Sequence, residues 1–274
     1  MIPRANVTAW RRVAPWPEDA QVEQDLVLSR AIVELFRRPA IAEQVAFRGG
    51  TALHKLFFHP PGRYSEDLDL VQRQARPIGP LIDEVRSLLD PWLGRPLTRA
   101  GHGRFTLVYR FDTTFAPVVT QRVKIELNTR EHFAVWGHVT RPFAVRNPWF
   151  DGEAEVVTYR FPELLATKLR ALYQRKKGRD LFDLELALAH SEFDASELVA
   201  AFEQYLQFGG TPVSRAQLEA NMAGKLEDPA FGGDVAPLLR TGLAHDPAAA
   251  WARVHAALVG RLRGEPWKGN RGSP

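Results

Sequence analysis

The sequence contains no cysteine, which excludes disulfide bridges, thiolate metal sites and a cysteine nucleophile. It also lacks any apolar run of about 18 or more residues, the length needed to span a bilayer. The first twenty residues are charged and interrupted by prolines, so they do not form the apolar core of a signal peptide. From these absences we expect a soluble, cytoplasmic protein without a membrane segment.

Motifs of several other functional classes are also missing. No zinc-ligand spacing, RNA-recognition aromatic motif or Ser-His-Asp order stands out, and the eight histidines are scattered. The composition is that of an ordinary globular protein, with 36 Lys and Arg residues against 32 Asp and Glu and a formal net charge of +4. This mildly basic balance suits a polyanionic partner but does not require one. The sequence indicates no oligomeric state.

The hydrophobic pattern changes character midway along the chain. In the N-terminal half, helices are predicted near 17–38, 51–57 and 78–93, and strands near 45–47, 65–71, 104–111, 121–128 and 155–159. From Pro162 onward the periodicity is helical, over 162–175, 179–190, 195–208, 214–226 and 247–262. The sequence therefore predicts an α+β fold with a mixed sheet.

The same change predicts the domain organisation. We expect an α/β domain over 1–160 and a helical domain over 161–263. Since no flexible linker marks the boundary near Arg160, we expect the two to enclose one cleft. The tail 264–274 is rich in Gly, Pro and basic residues, and this composition predicts disorder.

Two aspartates alternate with leucines in the strand predicted over 65–71. Successive side chains of a strand point to opposite faces, so Asp67 and Asp69 share one face while Leu68 and Leu70 share the other. Two neighbouring carboxylates repel each other unless a cation lies between them, and hard oxygen ligands suit Mg²⁺. An isolated D-x-D is more often a solvated surface feature, although Asp is disfavoured in strands.

A glycine pair precedes these acids by about 17 residues. Gly49 and Gly50 lie between a predicted strand and a predicted helix, where backbone N–H groups can donate to phosphate and missing side chains permit close approach. Thr51 follows and is a candidate helix cap. A glycine pair alone usually marks a tight turn. The order of glycine turn, helix and two-acid strand is more specific, because it is that of polymerase-β-like nucleotidyltransferases.

A third carboxylate is expected on a neighbouring strand. In the strand predicted over 121–128, Glu126 shares a face with Lys124 and Asn128, and apolar residues occupy the other face. Glu126 is therefore a candidate base for an attacking hydroxyl or a further metal ligand. The alternative is an exposed polar strand face.

Four stretches of the sequence resemble the AbiEii/AbiGii-type nucleotidyltransferase toxins, which include the MenT-like proteins. They are 47–53 (FRGGTAL), 63–70 (RYSEDLDL, close to the family's R-[FY]-S-x-D-x-D), 123–126 (VKIE), and 163–172 with 175–184 (ELLATKLRAL and RKKGRDLFDL). The resemblance implies a polymerase-β-like domain followed by a helical domain. It also implies an NTP substrate, Mg²⁺ or Mn²⁺ as cofactor, and a separately encoded antitoxin.

The resemblance also assigns residues. It implies that Lys168 and Asp180 join Asp67 in the active site. With the residues argued from the strand pattern and the glycine pair, the candidate catalytic residues are Asp67, Asp69, Glu126, Lys168 and Asp180, with the metal on the first three. The candidate nucleotide-binding residues are Gly49, Gly50, Thr51, Ser65 and Lys168. Family members that act as toxins transfer the nucleotide to the acceptor end of tRNA. Glu126 departs from the family pattern, in which Asp is common at the third acid.

Three charged features of the C-terminal half allow two interpretations each. Lys168 lies among leucines of a predicted helix, so it either extends to solvent or neutralises triphosphate charge. Asp180 begins the next helix, so it either caps that helix or orients Lys168 or the nucleotide. The basic run over 175–179 is either solvated or holds an RNA backbone.

The leading hypothesis is a Mg²⁺-dependent nucleotidyltransferase that moves NMP from an NTP to an acceptor hydroxyl. The acceptor expected from the resemblance is the 3′ end of tRNA, and the protein would be the toxin of a toxin–antitoxin or phage-defence system. Two alternatives remain open: a protein or small-molecule acceptor, and a non-catalytic module that binds RNA or an antitoxin.

Overall fold

A computed structural model describes residues 2–190, 192–210 and 212–269. The chain divides into two compact units, the first formed by Met1–Arg160 with Leu239–Gly242 and the second by Phe161–Leu238 with Leu243–Pro274. Of the tail expected to be disordered, positions 270–274 lie outside the described residues. No helix in the described part of the chain is long and apolar enough to cross a membrane.

Unit 1 combines a seven-stranded sheet with five helices among its described residues. The strands are β1 (Val45–Arg48), β2 (Asp67–Gln72), β3 (Leu97–Gly101), β4 (Arg104–Asp112), β5 (Thr120–Asn128), β6 (His138–Asn147) and β7 (Phe150–Tyr159). The helices are α1 (Arg4–Trp10), α2 (Asp19–Arg37), α3 (Pro39–Ala42), α4 (Gly49–Leu56) and α5 (Gly79–Leu93).

The sheet is mixed, with the strand order β3-β4-β5-β2-β1-β7-β6. β2 pairs in parallel with β5, and β1 pairs in parallel with β7. The pairs β1–β2, β3–β4, β4–β5 and β6–β7 are antiparallel. This order places β2, which carries the two aspartates, in the middle of the sheet between β1 and β5. The predicted α+β class with a mixed sheet is confirmed.

The core of unit 1 lies on one face of this sheet. Alternate residues of β4 and β5 point into it, and Leu107, Tyr109, Val123, Ile125 and Leu127 are each 0% exposed. Helix α2 packs against β5 and β7, and α5 packs against β4. The polar residues that alternate with these apolar ones therefore lie on the opposite face.

A buried carboxylate links α2 to the helix that begins with the glycine pair. Asp25 of α2 is 1% exposed and accepts hydrogen bonds from the indoles of Trp10 (2.8 Å) and Trp16 (3.0 Å). It also accepts one from Lys55 Nζ of α4, at 2.6 Å. A buried charge is tolerated when it is paired and hydrogen-bonded, and this one holds α4 in place.

Unit 2 is helical. Its helices are α6 (Phe161–Gln174), α7 (Gly178–His190), α8 (Ala195–Phe208), α9 (Arg215–Leu226), α10 (Pro229–Gly233) and α11 (Pro247–Ala257). Helix α6 packs against α7 and α8, and α7 packs against α11. The helix predicted over 247–262 ends earlier, at Ala257, and a short 3₁₀ turn at Val259–Arg261 follows it.

Candidate active site

The three predicted acids of unit 1 lie on adjacent parallel strands. Asp69 of β2 is the register partner of Glu126 of β5, and Asp67 is the register partner of Lys124. Leu68 and Leu70 point the other way and are 1% and 2% exposed. The alternation expected for both strands is therefore present. We refer to Asp67, Asp69 and Glu126 as the acid cluster.

Lys124 bridges two members of the acid cluster. Its Nζ lies 2.9 Å from Asp67 Oδ2 and 2.6 Å from Glu126 Oε2. Burial disfavours the charged ammonium, but the hydrogen bonds to both carboxylates outweigh burial and raise the pKa of Lys124 above its ordinary value. Arg104 lies 3.3 Å from the other Glu126 oxygen. Lysine thus supplies the positive charge that two neighbouring carboxylates require.

The acid cluster offers carboxylate oxygens to a divalent cation. Asp67 Oδ1 is buried and has no hydrogen-bond partner among the described residues, and an ionised oxygen withdrawn from water needs a donor or a cation. No group of three His, Asp or Glu side chains suited to a metal occurs within the described ranges. Mg²⁺, however, is commonly held by one or two carboxylates together with substrate phosphates. Asp67 and Asp69 fit that requirement.

The glycine pair makes room for two functional side chains. Gly49 has φ +83°, and a Cβ placed on it would lie 2.2 Å from Asp69 Oδ2. A Cβ on Gly50 would lie 2.4 Å from Arg63 Nη2 and 3.1 Å from Ser65 Oγ. The missing side chains therefore permit the close approach of Asp69 and of the buried Arg63. Binding of phosphate by the Gly49 and Gly50 backbone stays a prediction.

Thr51 has a different role from the cap proposed for it. Helix α4 already begins at Gly49, and the residue at its N-cap position, Arg48, makes no side-chain cap. The Thr51 hydroxyl instead donates to the Asp67 carbonyl (2.5 Å) and lies 2.9 Å from the Ser65 hydroxyl. Thr51 and Ser65 are thus held beside the first residue of β2.

The predicted residues of unit 2 form a second, buried cluster. Lys168 Nζ of α6 lies 3.1 Å from Asp180 Oδ1 and 2.9 Å from Asp183 Oδ2, both of α7. The three side chains are 5%, 0% and 0% exposed. Burial alone would raise the pKa of Asp180, but Lys168 and a two-point contact from Arg175 lower it below its ordinary value. Lys168 therefore does not extend to solvent. We call Lys168, Asp180 and Asp183 the buried cluster.

The basic run over 175–179 is engaged within unit 2. Lys176 forms an ion pair with Asp228, and Lys177 lies 3.2 Å from Asp234. Arg179 lies 3.8 Å from the same carboxylate. These pairs are partly exposed and of low individual energy. They nevertheless reduce the positive charge that the run presents to a polyanion.

The sequence interpretation gave no role to three residues that the structure places in or beside these clusters. Asp183 was part of a matched stretch, and its spacing of three from Asp180 puts both on one helix face, which was the available signal. Lys124 was placed on the face of Glu126, but the acids were expected to need a metal rather than a lysine. Arg63 was noted only as part of the matched motif. In the structure its guanidinium lies against Gly50.

Solved structures of other proteins match the fold of this chain. MenT4, a nucleotidyltransferase toxin from Mycobacterium tuberculosis, matches with a TM-score of 0.68 at 18% identity, over 96% of this chain and 91% of that chain. JHP933 from Helicobacter pylori matches with a TM-score of 0.51 at 18% identity, over 88% and 90%. At these identities the matches establish the fold. No curated protein matches in sequence.

The family match defines the class of this protein as a nucleotidyltransferase. Residues 30–256 match the family described as "Nucleotidyl transferase AbiEii toxin, Type IV TA system", so the chain belongs to the AbiEii family of nucleotidyltransferase toxins. The resemblance inferred from the four sequence stretches is confirmed. Toxins of this family belong to toxin–antitoxin systems, which implies an antitoxin partner and an NTP substrate.

Proposed function

We propose that this enzyme transfers NMP from an NTP to the hydroxyl of an RNA acceptor, in the presence of a divalent cation. The acceptor oxygen attacks the α-phosphorus, the bond from that phosphorus to the bridging oxygen breaks, and pyrophosphate leaves. The acid cluster is the centre of this reaction. One observation carries the proposal: Asp67 presents a buried carboxylate oxygen, without a hydrogen-bond partner in the described part of the chain, beside a second carboxylate on the same strand face.

Asp67 and Asp69 are the proposed ligands of Mg²⁺ or Mn²⁺. When bound, the cation offsets the negative charge that develops on the phosphate oxygens. Glu126 is the third predicted ligand or the base that accepts the proton of the attacking hydroxyl. Lys124 and Arg104 hold its two oxygens. Either role therefore requires Lys124 to release Glu126 Oε2, which its exposure of 26% permits.

The start of α4 is the proposed triphosphate site. A helix N-terminus presents unpaired N–H groups and a partial positive charge to an anion. Gly49 and Gly50 lie in the first turn of α4, directly beside Asp69. The hydroxyls of Thr51 and Ser65 lie 2.9 Å apart next to the start of β2. We assign these four residues to nucleotide binding.

Lys168, a residue of unit 2, is proposed to supply a positive charge that stabilises the negative charge developing in the reaction. It is held between two carboxylates at 3.1 and 2.9 Å, which fixes the position of its ammonium. Asp180 and Asp183 are then positioning residues that act through Lys168. A fixed ammonium stabilises developing negative charge better than a mobile one, because no reorganisation is needed during the reaction.

The acceptor proposed here is the 3′ end of tRNA, and an antitoxin is the proposed regulator. Membership in a toxin family supports both. The mildly basic net charge of +4 is consistent with an RNA substrate. A protein or small-molecule acceptor would use the same acid cluster, so only product analysis separates these acceptors.

The test is an incubation of the purified enzyme with total RNA, each of the four α-labelled NTPs in turn, and Mg²⁺. We expect label in small RNA for the wild type and none for Asp67→Ala or Lys168→Ala. Asp83→Asn, which removes an exposed carboxylate of α5, is the matched control and keeps wild-type transfer. Label confined to protein or small molecules would change the acceptor, whereas transfer by folded Asp67→Ala would overturn the assignment.

A further inference from the structure

Beside the acid cluster, a trough lined with arginines crosses the face of β5, β4 and β3. Its volume is about 540 Å³, and it is lined by Arg99, Arg104, Arg110, Arg122, Lys124 and Glu126 among others. All lie within unit 1. We call this surface the arginine trough. Because Lys124 and Glu126 line it, the trough begins at the acid cluster itself.

The strand register explains why the arginines share one face. Across the sheet, Asp69 pairs with Glu126, Glu126 pairs with Thr106, and Thr106 pairs with Arg99. Register partners on adjacent strands point to the same face. Strands are spaced by about 4.8 Å, so this row extends roughly 14 Å outward from β2. A ligand lying along it would reach from the acids to the edge strand β3.

The arginines carry charge that the protein leaves largely unneutralised. Arg110 and Arg122 are direct register partners, and like charges in that position destabilise a sheet. Within the described residues, the only ion-pair partner of Arg122 is the exposed Glu66, at 3.7 Å. Arg99 and Arg110 are exposed and have no ion pair within the described ranges. A bound anion would relieve this repulsion.

We infer that the arginine trough binds the sugar–phosphate backbone of the single-stranded 3′ end of the RNA acceptor. Arginine forks match phosphate geometry, and the trough leads to the acids where the acceptor hydroxyl must react. The lining includes no aromatic, Asn or Gln side chain. Asn and Gln read base edges, and aromatic rings stack on bases, as arginine guanidinium planes also do without selecting a particular base. Binding in the trough is therefore tolerant of sequence. This inference rests on the proposed function.

The experiment measures the Kd of 5′-fluorescein RNA 12-mers of A, C or U by anisotropy, from 50 to 200 mM salt. The test variant is Arg99→Ala/Arg110→Ala, because neither side chain has an ion pair to disrupt. The control is Arg12→Ala/Arg76→Ala, which removes two exposed arginines outside the trough and leaves the same net charge. Circular dichroism checks the fold of both variants.

For the test variant we expect a Kd increase of roughly tenfold and equal losses for all three RNAs. The slope of log K against log salt should fall by about 1.4, as for two lost single-strand phosphate contacts. The KM for RNA in the transfer assay should rise in parallel. Wild-type Kd in the test variant, or an equal loss in the control, would overturn the inference.

Two further outcomes separate this inference from the proposed function. A wild type that binds RNA through the trough but transfers no label would contradict the proposed reaction and support the binding surface. If the wild type transfers label and the test variant has an unchanged KM for RNA, the proposed function stands and the RNA-binding role of the arginine trough is wrong. If the variant bound RNA normally but lost an acidic protein partner, the trough would be a protein interface and the inference would be wrong.

Discussion

Each unit of this protein contains a lysine held between two carboxylates, and the two sets differ in burial. Lys124 joins Asp67 and Glu126, with side chains 26%, 32% and 21% exposed. Lys168 joins Asp180 and Asp183, with side chains 5%, 0% and 0% exposed. Similar chemistry is thus placed once at a partly solvated surface and once inside a helical core.

Burial determines what each set can do. Partly exposed ion pairs are weak, so Lys124 can exchange its carboxylates for another partner at little cost. A buried set is different, because removing one partner leaves an uncompensated charge in a medium that does not solvate it. The exposed set is therefore suited to binding and releasing a cation and substrate. The buried set is suited to fixing the position of one ammonium.

The largest expected effect concerns the exposed set. Asp67→Asn removes one negative charge and one cation ligand, so we expect transfer activity to fall by about a thousandfold or more. Because the side chain is partly exposed, the free energy of unfolding should change by less than about 1 kcal/mol. Label transfer and urea denaturation measure the two quantities. If Asp67→Asn lost enough stability to explain its loss of activity, the exposed and buried sets would not differ in the way proposed.

The buried set should show the opposite balance. Asp180→Asn leaves Lys168 with a single carboxylate and removes one partner of Arg175. We expect the free energy of unfolding to fall by about 3–5 kcal/mol. Glu203→Gln, which breaks the exposed 3.9 Å pair with Arg263, is the control and should cost less than about 1 kcal/mol. If urea denaturation gave the same loss in the free energy of unfolding for both variants, burial would not distinguish the two kinds of ion pair.

The glycine that adjoins Asp69 is the next test. Gly49 has φ +83° and no room for a Cβ, so Gly49→Ala should cost about 1–3 kcal/mol of stability and displace the Asp69 carboxylate. Activity should fall more than stability explains. Gly79→Ala, at a position with nothing within 4 Å of a built Cβ, serves as control in both assays. Full activity in Gly49→Ala would show that the function of Asp69 does not require its carboxylate to lie against Gly49.

A third lysine sharpens the comparison, because it is buried without a carboxylate ion pair in the described part of the chain. Lys225 donates to the Leu172 and Tyr173 carbonyls, and burial lowers its pKa to about 8. The unfolded chain then binds the proton more tightly than the folded chain. Stability should therefore rise by roughly 1–3 kcal/mol between about pH 8 and pH 10.5. This rise should be absent in Lys225→Met, and denaturation at several pH values measures it.

Lys124→Met should change stability little and should instead alter the binding of the cation. The pairs that it breaks are partly exposed, so the free energy of unfolding should change by about 1 kcal/mol or less. The freed carboxylates should hold a cation more tightly, which lowers the Mg²⁺ concentration needed for half-maximal nucleotide binding. Nucleotide binding measured across a Mg²⁺ series tests this. An unchanged requirement would show that lysine and cation do not compete.

Much of the fold could be predicted because unit 1 has one buried sheet face and unit 2 has amphipathic helices. Strand β5 and the first half of β2 show the alternation that burial on one face demands, whereas β1 is a short and almost fully buried apolar run. The two edge strands, β3 and β6, were not predicted. Every residue of β3 is exposed, and β6 contains Pro142, which only an edge strand accommodates. Neither strand therefore has a clear apolar periodicity.

The candidate site was predictable in part for the same reason. Alternation places Asp67 and Asp69 on one face, and the register of β2 with β5 adds Glu126. Pairing between strands distant in sequence cannot be read from periodicity, so the bridge made by Lys124 was not foreseen. The packing of Arg63 under Gly50 is likewise a tertiary contact. The roles of the individual residues stay predictions.

The most direct test of this account is the binding of Mn²⁺, measured by electron paramagnetic resonance with a non-reactive NTP analogue present. We predict that Asp67→Asn weakens Mn²⁺ binding at least about tenfold, since it removes a carboxylate ligand. Asp180→Asn, studied below its unfolding temperature, should bind Mn²⁺ like the wild type. Wild-type affinity in Asp67→Asn, or an equal loss in Asp180→Asn, would contradict the assignment of the cation to the exposed set.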